Sequence, residues 1–158
     1  GDILIQNALD EPSDRNNLVF PALFNYRHYI ELALKAIIEA HGSFAGVSLD
    51  SKSHKLPDLW QLFMKIATAF GNDSSDATAN VVGACIQEFA SVDASSTAFR
   101  YACNLNGGTP ILPTGQLDLL RLHDVMNGIE NFFQCAELDF DHKAELAAED
   151  AWIAATSG

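Results

Sequence analysis

Residues 18–42 read LVFPALFNYRHYIELALKAIIEAHG, and this stretch decides the fold. At about 100° per residue, Leu34 and Ile38 fall within about 20° of Arg27. Leu23 lies at about −40° and Ile30 at about −60°. This stripe predicts an amphipathic helix from about Asn17 to His41, with Gly42 as the C′ residue that ends it. Pro21 belongs in or before the first turn, because an interior proline breaks the helix ladder.

The same wheel puts Arg27 in the middle of the core-facing stripe. Glu31 lies on that side one turn later and Lys35 follows at the edge, an i, i+4, i+8 ladder of alternating charge. On a surface such pairs contribute only about 0.3–0.5 kcal/mol each. A ladder aimed at the core is different, because a buried arginine must be paired, and Glu31 is the partner within reach. His28 sits about 100° round and can reach a neighbouring helix. Two readings follow. One is a buried ion pair that fixes helix register. The other is a polar pocket for an anionic ligand, with Arg27, His28 and Lys35 as donors.

Further helices read outward from this one. The stretch HKLPDLWQLFMKIATAF, residues 54–70, forms the next, with Ser53 as N-cap, Pro57 near its start and Gly71 as stop. Another spans about Asp73 to Val92, where the polar NDSSD segment offers several caps. A fourth takes about Gln116 to Ala136, and a last, rich in alanine and acid, about His142 to Ala155. Between Asp93 and Gly115, Phe99, Tyr101 and Cys103 alternate with Ala98, Arg100 and Ala102 before Asn106-Gly107-Gly108. Period two beside a glycine turn predicts a small β-hairpin or ordered loop. The expected fold is all-α: an up-and-down bundle of four to five helices with a short β-hairpin-like insertion.

The 158 residues suit a single domain over 1–158, with 1–16 and 156–158 flexible or peripheral. Nine Lys and Arg against 21 Asp and Glu leave a net charge of −12, which argues against broad binding to nucleic acid or anionic lipid. No membrane span or signal peptide is visible. Three cysteines without a CxxC pair predict reduced, mostly buried thiols and a cytoplasmic protein. No HxxxH or HExxH spacing exists, so neither a metal nor any other cofactor is expected. His123-Asp124 and Asp139-Phe140-Asp141-His142 read as solvated surface. No GxGxxG, GxxxxGK[ST] or GxSxG occurs, which removes common nucleotide-binding and hydrolase signatures.

His54, at the start of the second helix read here, either caps it or packs on Trp60, or acts as a proton carrier facing the Arg27 cluster. Arg100, between Phe99 and Tyr101, either pairs with an acid of the bundle or is surface charge. The far side of the 17–41 helix carries Tyr29, Leu32, Ala33 and Ala36. That apolar excess predicts cover from a second copy or another helix, and so a homodimer.

Three blocks together carry a family resemblance. They are Tyr26-Arg27-His28-Tyr29-Ile30-Glu31-Leu32-Ala33-Leu34-Lys35, His54-Lys55-Leu56-Pro57-Asp58-Leu59-Trp60 and Ser96-Thr97-Ala98-Phe99-Arg100-Tyr101. In order and spacing, over about residues 18 to 142, the chain resembles the HEPN-like helical families of prokaryotic genomes and mobile elements. The resemblance implies an all-α, usually homodimeric bundle. Many members are RNA-cleaving toxins or defence effectors, and others bind nucleotides or only partners. The nuclease members carry an arginine with a histidine about five to seven positions on, and no arginine here has one. Arg27, Glu31, Lys35, His54 and Arg100 are the site candidates on which the resemblance and the wheel agree.

Two function classes follow. The first is an HEPN-like defence or toxin–antitoxin type protein that binds RNA or a nucleotide in a small cationic cleft. The second is a non-enzymatic homodimeric interaction or regulatory module, in which the Arg27–Glu31 pair is structural and the acidic surface covers a protein partner.

Overall fold

The computed structural model describes residues 1–11, 13, 15–50, 52–73, 75–92 and 117–157. Within them the chain is all-α: α1 (Asp2–Asp10), α2 (Arg15–His41), α3 (Leu56–Ala69), α4 (Ala77–Val92) and α5 (Leu119–Thr156), with a 3₁₀ turn at Gly42–Ala45. The helices pack in chain order, and α5 closes the bundle against α1, α2 and α4. The hairpin expected over residues 93–115, with Arg100 and Cys103, lies outside the described residues.

The apolar stripe of α2 is where the wheel put it. Leu23, Ile30, Leu34 and Ile38 are buried. They meet Leu56, Leu59, Phe63 and Ile66 of α3, Val82 and Ile86 of α4, and Met126, Ile129, Phe133 and Phe140 of α5 in one core. Phe63 lies at its centre, with its ring centroid 5.0 Å from Trp60 and 5.9 Å from both Phe133 and Phe140. Each fully buried phenylalanine contributes roughly 1.5–3 kcal/mol. At Gly83 a Cβ would stand 2.9 Å from the Trp60 indole nitrogen, so this glycine is what lets α4 approach α3.

Ahead of α5, helix limits differ from the sequence reading in four places. Residues 2–10, for which no helix was expected, form α1 and bury Ile5 and Ala8. Helix α2 starts at Arg15, which puts Pro21 inside the helix rather than in its first turn. The carbonyl that loses its amide partner there is that of exposed Asn17. Ser53 does not cap α3. The helix starts at Leu56 with Pro57 in its first turn, where a missing N–H costs little, while the Ser53 amide bonds the Asp50 carbonyl. Asp76 caps α4 by accepting the Ala79 amide at 2.8 Å, so the helix begins at Ala77 rather than near Asp73.

The largest correction concerns the C-terminal part, expected as two helices, about 116–136 and 142–155. They are one helix of 38 residues, α5, with Asp118 as N-cap accepting the Arg121 amide at 3.0 Å. Its sequence holds no proline, and its one glycine is Gly128. Acids lower helix propensity only slightly, so nothing in 137–142 stops the ladder. Phe140 is the last fully buried residue of α5, and residues 145–156 are exposed.

Candidate functional site

The polar cluster read from the sequence is real and is organised around one carboxylate. Arg27 is 1% exposed and Glu31 2%. Arg27 Nη1 donates to Glu31 Oε2 at 3.0 Å. Lys35 Nζ donates to Glu31 Oε1 at 3.0 Å. His54 Nδ1 lies 2.7 Å from the same oxygen. An ionised carboxylate only accepts, so the proton between them sits on Nδ1. Arg27 Nη2 also reaches out of its helix and donates to the His54 carbonyl at 2.7 Å. The cluster therefore ties α2 to His54, two residues ahead of buried Leu56, where α3 begins.

Burial, the largest single effect, pushes the Glu31 carboxyl up. The hydrogen bonds from Lys35, His54 and Arg27 together outweigh it and hold the group at about 2. The carboxylate is ionised at neutral pH, with both oxygens occupied.

Arg27, Glu31, Lys35 and His54 are thus brought together, while His28 is not. Its ring stacks on Phe24, centroids 5.8 Å apart and 8° from parallel, one turn back along α2. Arg100 lies outside the described residues. His54 takes the position expected of a group facing Arg27 rather than one packed on Trp60. On the far side of α2, Tyr29 and Ala33 pack against the core of the same chain, and Leu32 and Ala36 stay exposed.

A second feature was missed in the sequence. The C-terminal half of α3, the start of α4 and the middle of α5 enclose a cleft of about 430 Å³. Phe63, Phe132 and Phe140 line it, with Asp73, Asp76 and Asp139 among its polar groups. Asp139, expected as plain surface, accepts from Lys143 at 2.6 Å and from Asn72 Nδ2 at 3.1 Å. Lys143 also bonds Asn72 Oδ1. The Lys143 ammonium, then Asn72, holds the Asp139 carboxyl below the usual range. Cys135 also lines the cleft and is exposed, against the expectation of mostly buried thiols, because it falls on the cleft side of α5 rather than on the core side. Cys85 is half-buried, and burial, then Glu88, pushes its thiol up.

Among the described residues, no three His, Cys, Asp or Glu side chains are grouped as a metal ion would need. No described helix is long and apolar enough to cross a membrane. No protein family, curated protein or solved structure matches the chain.

Proposed function

We propose that this protein is a non-enzymatic interaction module whose Arg27–Glu31 pair is structural. One observation carries the reading: Glu31 gathers Arg27, Lys35 and His54 onto its own two oxygens. A ligand anion would have to displace a buried carboxylate already supplied with three hydrogen bonds, and would leave that carboxylate unpaired. Leaving a buried charge without its partner costs about 3–5 kcal/mol. The resemblance to HEPN-like bundles fits this reading as a shared scaffold. Arg27 and His28 part company, one into the core and one onto Phe24, so they do not converge as a nuclease pair would. The exposed apolar residues of α5 supply the surface that an interaction module needs.

The test is thermal unfolding of the wild type and of Arg27→Met with a panel of nucleotides and short RNAs. The module reading expects no ligand to raise either midpoint. A nucleotide or RNA that stabilises the wild type and not Arg27→Met overturns it in favour of an anion-binding cleft.

A further inference from the structure

We propose that the α3–α4–α5 cleft and the projecting end of α5 form one continuous track, and that its occupant is a basic amphipathic helix of a partner protein. The inference rests on the reading of the chain as an interaction module and names its partner. Three observations converge on it.

The first is register. Phe132, Asp139, Leu146 and Ile153 are spaced seven residues apart along α5. An α-helix drifts by about 20° per heptad, so the four lie within about 60° of one another on one face. Phe132 and Asp139 line the cleft, while Leu146 and Ile153, each 48% exposed, carry the same face beyond the body of the bundle. The cleft and the apolar arm are therefore two parts of one seam about 32 Å long, the length of roughly six helical turns.

The second is shape. A partner side chain entering the cleft meets half-buried apolar side chains on two sides, Met64 from α3 and Phe132 from α5. Apolar residues at three- and four-residue spacing on a docked helix would fill the cleft first and then cover Leu146 and Ile153. This is the helix-in-groove mode of recognition.

The third is charge. Asp73 and Asp76 flank the cleft from the α4 side, and each uses Oδ1 close by in sequence, Asp73 for Ser75 and Asp76 for the Ala79 amide of α4. Their Oδ2 atoms make no hydrogen bond among the described residues. On α5, Glu149 and Asp150 fall within about 60° of Leu146 and so border the same face, and the nearby Lys143 is held by Asp139 and Asn72. Lysines and arginines flanking the partner's apolar stripe would meet these carboxylates. The same charge argues against a second copy of this chain, whose α5 would bring acids onto acids, and against an anionic lipid surface.

The experiment uses the full chain and a synthetic helical peptide of about 20 residues, with leucine at three- and four-residue spacing and lysine on the flanks. A second peptide replaces lysine by glutamate. Amide shifts in two-dimensional NMR locate binding. The Leu146→Ser/Ile153→Ser pair alters only exposed side chains, and circular dichroism checks that it stays folded. The track predicts shifts along α5 from Phe132 to Ile153 and at residues 73–79. It also predicts at least tenfold weaker binding in the serine pair and in salt raised to about 0.5 M, and weaker binding still of the glutamate peptide. Shifts confined to another face, or equal affinity in the serine pair, reject the track and leave the module reading standing. So does a dimer of the unliganded chain that the serine pair abolishes, since the occupant is then a second copy. RNA or nucleotide stabilisation that depends on Arg27, with neither peptide bound, rejects both.

Discussion

His54 meets α2 twice: Nδ1 lies 2.7 Å from Glu31 Oε1, and its backbone carbonyl accepts Arg27 Nη2 at the same 2.7 Å. The two contacts differ in what a mutation removes. The ring is 59% exposed and half solvated, while the carbonyl belongs to every residue that could stand there. His54→Ala therefore loses the weaker contact and keeps the stronger. Chemical denaturation should show a cost of about 1 kcal/mol or less, against roughly 3–5 kcal/mol for Glu31→Ala, which leaves Arg27 buried without its carboxylate. Equal costs would show that the imidazole, not the backbone, holds the clamp.

Glu31 also sets an acid limit on stability. Its folded carboxyl titrates near 2, below the ordinary carboxylate value of 4.5. A group depressed by folding stabilises the native state above its unfolded pKa and loses that contribution as pH falls through the folded value. Stability should therefore decline between about pH 4.5 and pH 2. In Glu31→Gln the part of that slope due to this residue should vanish, leaving a less stable protein with a flatter acid limb. Denaturation midpoints at several pH values read this directly, and an unchanged slope would contradict it.

Among the described residues, His41 carries the buried side-chain polar atom that lacks a hydrogen bond. The residue is 7% exposed, and its ring meets Phe70 and Phe140 edge-on, with centroids 5.8 and 5.6 Å away. Nε2 has no hydrogen-bond partner, and Asp141 Oδ1 is 3.6 Å off. Replacing it by an apolar ring removes an unsatisfied atom and keeps the aromatic packing. His41→Phe should stabilise the protein by about 1 kcal/mol in calorimetry. A lower midpoint would show that the long Asp141 contact matters more than the missing bond.

The two described cysteines should react at different rates. Cys135 is exposed at the cleft, whereas Cys85 is half-buried with its thiol pushed up by burial and by Glu88. The thiolate is the reactive form, so iodoacetamide at neutral pH should label Cys135 well before Cys85. Peptide mass spectrometry resolves the two, and the reverse order would contradict the packing of α4 against α5.

The all-α class and the burial of Arg27 were legible because helical period is rigid. Once Leu23, Ile30, Leu34 and Ile38 mark the core side of α2, the azimuth of Arg27 follows, and with it the need for Glu31. What bonds Arg27 across helices was not legible, since the His54 carbonyl carries no side-chain signal. The cleft was missed for a different reason. The run Asp139-Phe140-Asp141-His142 resembles a polar boundary, and dividing α5 there hides the spacing of Phe132, Asp139, Leu146 and Ile153. Asn72 lies 67 residues from its partner Asp139, a separation that no local pattern encodes.

The most direct test of the structural role of the Arg27–Glu31 pair is a double-mutant cycle in thermal or denaturant unfolding with Arg27→Met, Glu31→Met and the two combined. Glu31→Met takes the carboxylate from buried Arg27 and should cost roughly 3–5 kcal/mol, while Arg27→Met leaves Glu31 with Lys35 and His54 and should cost less. The combined change removes both charges, so it should be far less costly than the sum, with a favourable coupling of about 2 kcal/mol or more. Additive losses, with no coupling between the two positions, would contradict the account.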